Sequence, residues 1–141
     1  MFKEKIQAAG QVSFVLTDEN GNVKQQASKN LVVNPGLAFI VSRMIDTAAA
    51  AMSHMAVGTG TTAAAAAQTA LVAESARVAL TSSTIVTTTV TGDSVQYIAA
   101  FGPGVGTDAI TEAGLFNAAS AGTMLARTVF PVINKGANDT L

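Results

Sequence analysis

Two charged residues stand inside the most apolar stretch of this chain, and that stretch constrains the fold more than any other. Residues 110–130 (ITEAGLFNAASAGTMLARTVF) read as two strands, 110–117 and 123–130, joined by Ala118-Ala119-Ser120-Ala121-Gly122. Gly122 supplies the positive φ that a hairpin loop commonly needs, and Ser120 is a frequent loop former. In the second strand Leu125 and Val129 alternate with Met124, Ala126, Thr128 and Phe130, so both faces are largely apolar. A strand of that kind is covered on both faces, by its own core or by another subunit. Charges in such a setting are usually paired. Glu112 with Arg127 is therefore the first expected structural pair.

The rest of the chain is short of charge. Only 12% of its 141 residues are charged, against about a quarter in ordinary globular domains. A free monomer normally keeps charge outside, so other subunits are expected to cover much of this surface. A merely Ala- and Thr-rich monomer is the plainer alternative. The length fits an N-terminal arm (1–9) and one β-rich domain (10–141), with core enough to need no metal or disulfide. A net charge of −1 and a pI near 5.7 give no basic footprint for nucleic acid. With no cysteine, disulfides, thiol catalysis and thiolate metal sites are excluded. The N-terminal residues lack the apolar run of a signal peptide, and no stretch reaches the roughly twenty apolar residues of a membrane helix.

In chain order, residues 11–17 alternate as a half-buried strand, and Asn20-Gly21 is a strong hairpin signal. Residues 23–27 (VKQQA) read as a polar edge strand or one facing water, and 30–33 as a short apolar strand. Asn34 as N-cap and Pro35 at the first helical position then open a helix over about 35–49. Its apolar stripe is Leu37, Ile40, Val41, Met44, Ile45 and Ala48. Residues 53–57 form a strand, 63–67 an alanine run, 71–77 a helical turn or irregular link, and 78–90 one long β-branched strand, bulged near Ser82-Ser83. After a turn at 91–93, residues 94–101 alternate, with Val95, Tyr97, Ala99 and Phe101 on one face. Asn134-Lys135-Gly136 is a turn signal, and Asp139-Thr140-Leu141 reads as the start of a strand, cut short or completed by a neighbour. One helix among short strands points to an antiparallel β sandwich or barrel.

Sites for chemistry are sparse. Gly58-Thr59-Gly60-Thr61-Thr62 lacks the Gly-Lys-Ser/Thr end of a phosphate loop, and Gly102-Pro103-Gly104-Val105-Gly106 loses an amide donor at Pro103. His54 is the sole histidine and sits between methionines, a structural rather than catalytic setting. Glu74 and Glu112 could in principle pair as glycosidase carboxylates, but no aromatic platform accompanies them. No cofactor or metal is expected. Glu74 and Arg77 are spaced for a local ion pair, and Arg77 could alternatively reach Glu112. The loops carrying Gly58, Thr59, Gly60, Gly102, Gly104 and Gly106, with the alanine run, are the candidate contact surfaces, because small side chains let backbones approach closely; flexible surface loops are the alternative reading.

Taken in order, several of these pieces resemble a family of small bacteriophage virion proteins. They are the strand with its Asn-Gly turn, Asn30-Leu31-Val32-Val33-Asn34, Met55-Ala56-Val57-Gly58-Thr59-Gly60, and Thr69-Ala70-Leu71 with Glu74 and Arg77. Glu112-Ala113-Gly114-Leu115-Phe116-Asn117, Gly122-Thr123-Met124-Leu125-Ala126-Arg127, Phe130 and Lys135 complete the set. The order is also similar to the N-terminal, baseplate-proximal part of phage tail-fibre proteins. The resemblance implies a non-enzymatic module on the virion that binds its own copies and other tail, baseplate or capsid proteins; by charge and hydropathy neither nucleic acid nor membrane is expected as a partner. It leaves open a tail-fibre base or tail appendage, a capsid decoration protein, and a receptor- or glycan-binding tail module. It also implies a further strand after Leu141.

Overall fold

The computed structural model describes residues 1–46 and 50–141. Its elements are β1 (Gly10–Thr17), β2 (Val23–Val32), α1 (Asn34–Met44), β3 (His54–Gly58), β4 (Glu74–Ala79), β5 (Ser82–Val86), β6 (Ser94–Ile98), β7 (Ala109–Phe116) and β8 (Met124–Asn134). Six strands form one antiparallel sheet in the order β1-β2-β8-β7-β3-β4, curled into a half-barrel, while β5 and β6 pair only with each other. The chain is mainly β with one described helix.

The two-faced hairpin sits at the sheet's centre as β7 and β8. On one face Ile110, Ala113, Phe130 and Ile133 pack with Phe14, Leu16, Val57 and Phe101. The rings of Phe14 and Phe130 lie 4.2 Å apart at 39°, a tilted contact that adds to area burial. On the other face Phe116 and Met124 pack with Val33, Ala56 and Leu71 beneath the long connection between β3 and β4. Both faces of the hairpin are thus covered by the chain itself.

Several elements differ from the sequence expectation. The two segments at 23–27 and 30–33 form one strand, β2, because its far end continues into pairing with β8 at Leu31 and Val32. The helix is capped at Val33 without a side-chain bond, not at Asn34. Asn34 lies in the first turn, where its N–H donates to Ala66 O at 2.8 Å. The helix ends at Met44, and the expected continuation over 47–49 lies outside the described residues. Along the apolar stripe Leu37 and Ile40 are half-buried, but Val41, Met44 and Ile45 stand exposed.

The expected link at 71–77 becomes strand β4 from Glu74, since Ala76 and Val78 alternate into the core. The expected long strand at 78–90 is the end of β4 at 78–79 and β5 at 82–86, while 87–90 turn, with the N–H groups of Thr88, Thr89 and Val90 donating to the Asp93 carboxylate. Leu80 N–H donates to Ser53 O on the β3 side while Thr81 N–H donates to Ile98 O, so the chain changes partners between these residues. The last residues pair within the chain. Thr140 bridges Thr17, and Leu141 and Phe101 exchange both backbone hydrogen bonds.

Candidate functional site

The most constrained polar cluster is built on β7 and β8, next to a register shift between Ile110 and Glu112. Such irregularities re-aim side chains, and here Glu112 and Arg127 lie fully buried on the face beneath the β3–β4 connection. Arg127 Nε donates to Glu112 Oε2 at 2.9 Å. Nη2 lies 2.7 Å from the same oxygen but in a poor hydrogen-bonding direction, so it acts there as charge rather than as a donor.

The connection closes around this pair. Gly60 and Ala73 donate their N–H groups to Glu112 Oε1 at 3.0 and 2.6 Å, and Val72 donates to Oε2 at 3.0 Å. Arg127 Nη1 donates to Thr62 O and to Gln68 Oε1, both at 2.9 Å. Gln68 Oε1 also accepts from Ala65 N–H at 2.9 Å. Residues 59–73 are therefore pinned at five points by one buried ion pair. Buried charges are tolerated when paired and hydrogen-bonded to this degree.

The glycines of Gly58-Thr59-Gly60 serve this clamp. A Cβ on Gly58 would overlap Ala73 O, and one on Gly60 would overlap Glu112 Oε1 and lie 2.8 Å from Val72 Cβ. Both glycines are buried, so the expectation that they form a contact surface is corrected: they make room for an internal carboxylate. Thr59 is half-buried, with its N–H donating to Ala73 O at 2.9 Å.

Arg77 does not reach Glu112. Its Nε and Nη2 donate to Glu74 at 2.9 and 2.6 Å, and Nη1 donates to Ala118 O and Ala121 O at 3.0 and 2.9 Å. The guanidinium sits 3.7 Å from the centre of the Phe116 ring, a cation–π distance. Arg77 thus fastens the β7–β8 loop from the outside, as Arg127 fastens the β3–β4 connection from within. Glu74 and Glu112 have separate arginine partners and form no joint acid–base site.

At the second glycine-rich loop Gly104 is exposed, and Gly102 and Gly106 are half-buried. Lys135 is buried behind it, with Nζ donating to Gly102 O at 2.9 Å and Asp139 O at 2.8 Å. Burial pushes the Lys135 ammonium pKa down and Asp139 offsets this only in part. In the sequence Lys135 stands in a turn signal and in the resembling set, and neither marks it as buried. His54 is half-buried, with Nδ1 2.8 Å from the neighbouring Ser53 Oγ. Among the described residues no three His, Asp or Glu side chains gather as metal ligands.

Burial raises the Glu112 pKa, but the amides of Ala73 and Val72 and the Arg127 guanidinium outweigh it, leaving the carboxyl below its ordinary 4.5. A carboxyl lowered by folding contributes stability that is complete above its unfolded pKa and lost as pH falls through the folded one. Melting temperature is therefore expected to fall below about pH 4.5, the ordinary value. Asp93 and Asp18 are lowered as well, by turn amides and by Asn22 respectively. Glu112→Gln isolates the buried group: its melting curve should fall less steeply below that pH than the wild type's. Parallel curves would show that Glu112 is not the group that titrates.

The Glu112 carboxylate has no exposed surface and Arg127 none either. Held this way, the pair contacts no external molecule and acts on the chain's own connection. Compared with family models, curated proteins and solved structures, the chain matches none.

Proposed function

We propose that this chain is a bacteriophage virion structural protein that assembles through contacts with its own copies and with other tail, baseplate or capsid proteins. One observation carries the reading: apolar side chains stay in water although the chain has little charge to hold it apart. Ile45 on the turn after α1 is 71% exposed, Ile85 on β5 75%, and Val95 on β6 51%. Single exposed apolar residues are ordinary, whereas groups on one element mark interaction sites. The resemblance set out above supplies the setting. An interface of the usual specific size, about 1,600 Å² in total, is enough for stable association, and repetition on a symmetric particle raises the effective concentration of each contact.

The contact surfaces are the exposed half of α1, the β5–β6 ribbon, and the exposed parts of the loops at 63–67 and 102–106. The test is gold-labelled antibody against the chain on intact purified particles. Label spread over the head means decoration, and label at one end means a tail or fibre-base position. Particles that take no label overturn the proposal.

A further inference from the structure

The β5–β6 ribbon has no third strand. Two-stranded hairpins are at best marginally stable in water, and three or more strands with an apolar face are needed for independent stability. Here Ile85 and Val95 face each other across the ribbon, with Ser83 and Tyr97 as the next pair on the same face. Ile85 and Val95 both stand in water. Along the outer edge of β6 no backbone group of Val95, Gln96 or Tyr97 bonds to another described element. That edge also lacks the lysines and prolines with which proteins usually block further pairing.

We infer that the free edge of β6 pairs antiparallel with β6 of a second copy, across a two-fold axis centred on Gln96. The inference rests on the assembly reading above and names one of its surfaces. The sequence is self-complementary about that axis. Val95 falls opposite Tyr97 of the second copy, an aromatic–β-branched pair of the favourable kind. Gln96 faces Gln96, and Ser94 faces Ile98. The alternative axis on Thr84 of β5 would set Ser83 against Ile85 and gain less.

Charge favours a second copy over a charged partner. Between Leu80 and Ala100 the only charge is Asp93, and its carboxylate is engaged by the amides of Thr88, Thr89 and Val90. In the two-fold register Asp93 lies opposite Ala99, so no like charges meet. The product is a four-stranded sheet, β5-β6-β6-β5, whose apolar face joins Ile85, Val95 and Tyr97 of both copies. Two-fold pairing of this isologous kind is the commonest route to a dimer.

The chain has no cysteine, so a single introduced thiol reports proximity without background. Gln96→Cys places two thiols on facing strands at the axis, within the roughly 4.4–6.8 Å Cα separation that a disulfide spans. Thr84→Cys places them three strand spacings apart, about 14 Å. Under mild oxidation Gln96→Cys should become a covalent dimer on a denaturing gel while Thr84→Cys stays a single chain, with unchanged circular dichroism in both. A Gln96→Cys protein that stays a single chain, or a Thr84→Cys protein that links as fast, overturns the inference. Particle labelling is read separately. Labelled particles without the crosslink sink this surface alone, and the crosslink without labelled particles sinks the virion reading alone.

Discussion

Glu112→Ala is expected to lower the free energy of unfolding by about 3–5 kcal/mol, because it strands a buried guanidinium. The same change takes the acceptor from the amides of Gly60, Val72 and Ala73, and buried donors left without partners add their desolvation cost. Arg127→Met leaves the carboxylate with those three amides and fills part of the guanidinium's volume, so it is expected to cost less than Glu112→Ala. Both are read from thermal melts at neutral pH, where Glu112→Ala should lower the midpoint by about 10 °C or more. A shift of a degree or less would show that the pair does not hold the connection down. An Arg127→Met cost equal to or above that of Glu112→Ala would show that the guanidinium, not the amide cradle, carries the stability.

Gly36→Ala sets two terms of opposite sign against each other. In an exposed helix Ala is favoured over Gly by about 1 kcal/mol. At position 36, however, a Cβ would overlap the carbonyl of Leu125 on β8, with Leu125 Cα at 2.9 Å. This neighbour is central-strand backbone, which has no rotamer to escape into. Overpacking typically costs 1–3 kcal/mol and occasionally more, and overlap with backbone sits at the upper end of that range, so after the roughly 1 kcal/mol helix gain the net change is expected to be a loss of up to about 2 kcal/mol. The denaturation midpoint should fall with little change in slope. A midpoint raised above wild type would mean that α1 does not dock on β8 through its first turn.

The centre of the fold was legible because its signals were local and redundant. The two-faced apolar pattern of β7 and β8 required cover on both sides, and the sheet provides it with two separate apolar clusters. The β1–β2 turn followed from Asn20-Gly21, where Gly21 adopts φ 79° and Asp18 gathers the amides of Asn20 and Asn22. What failed was whatever depended on distant partners. Residues 74–77, the part of β4 inside the expected link at 71–77, read as a link because their burial depends on pairing with β3, which local periodicity does not encode. The break at Leu80-Thr81 is a change of partner just before Ser82-Ser83, where the sequence suggests only a bulge within one strand. Gly58 and Gly60 looked like contact surface because nothing local reveals that a carboxylate from position 112 fills the space above them. The aliphatic stripe of α1 predicted a buried face, yet Val41 and Met44 remain in water.

That last mismatch bears on what the chain does. An amphipathic helix and a two-stranded ribbon that keep apolar side chains exposed are incomplete by the rules that govern the rest of the molecule, and other subunits would complete them. The interior, by contrast, is closed: its charged pair is spent on the chain's own connection.

The measurement that bears most directly on assembly is the mass of the purified protein in solution by light scattering, over a range of concentrations. The account predicts a multiple of the 14.2 kDa chain mass, falling toward one chain only on dilution. A single-chain mass at every concentration, including those at which interfaces of about 1,600 Å² are normally occupied, would contradict it.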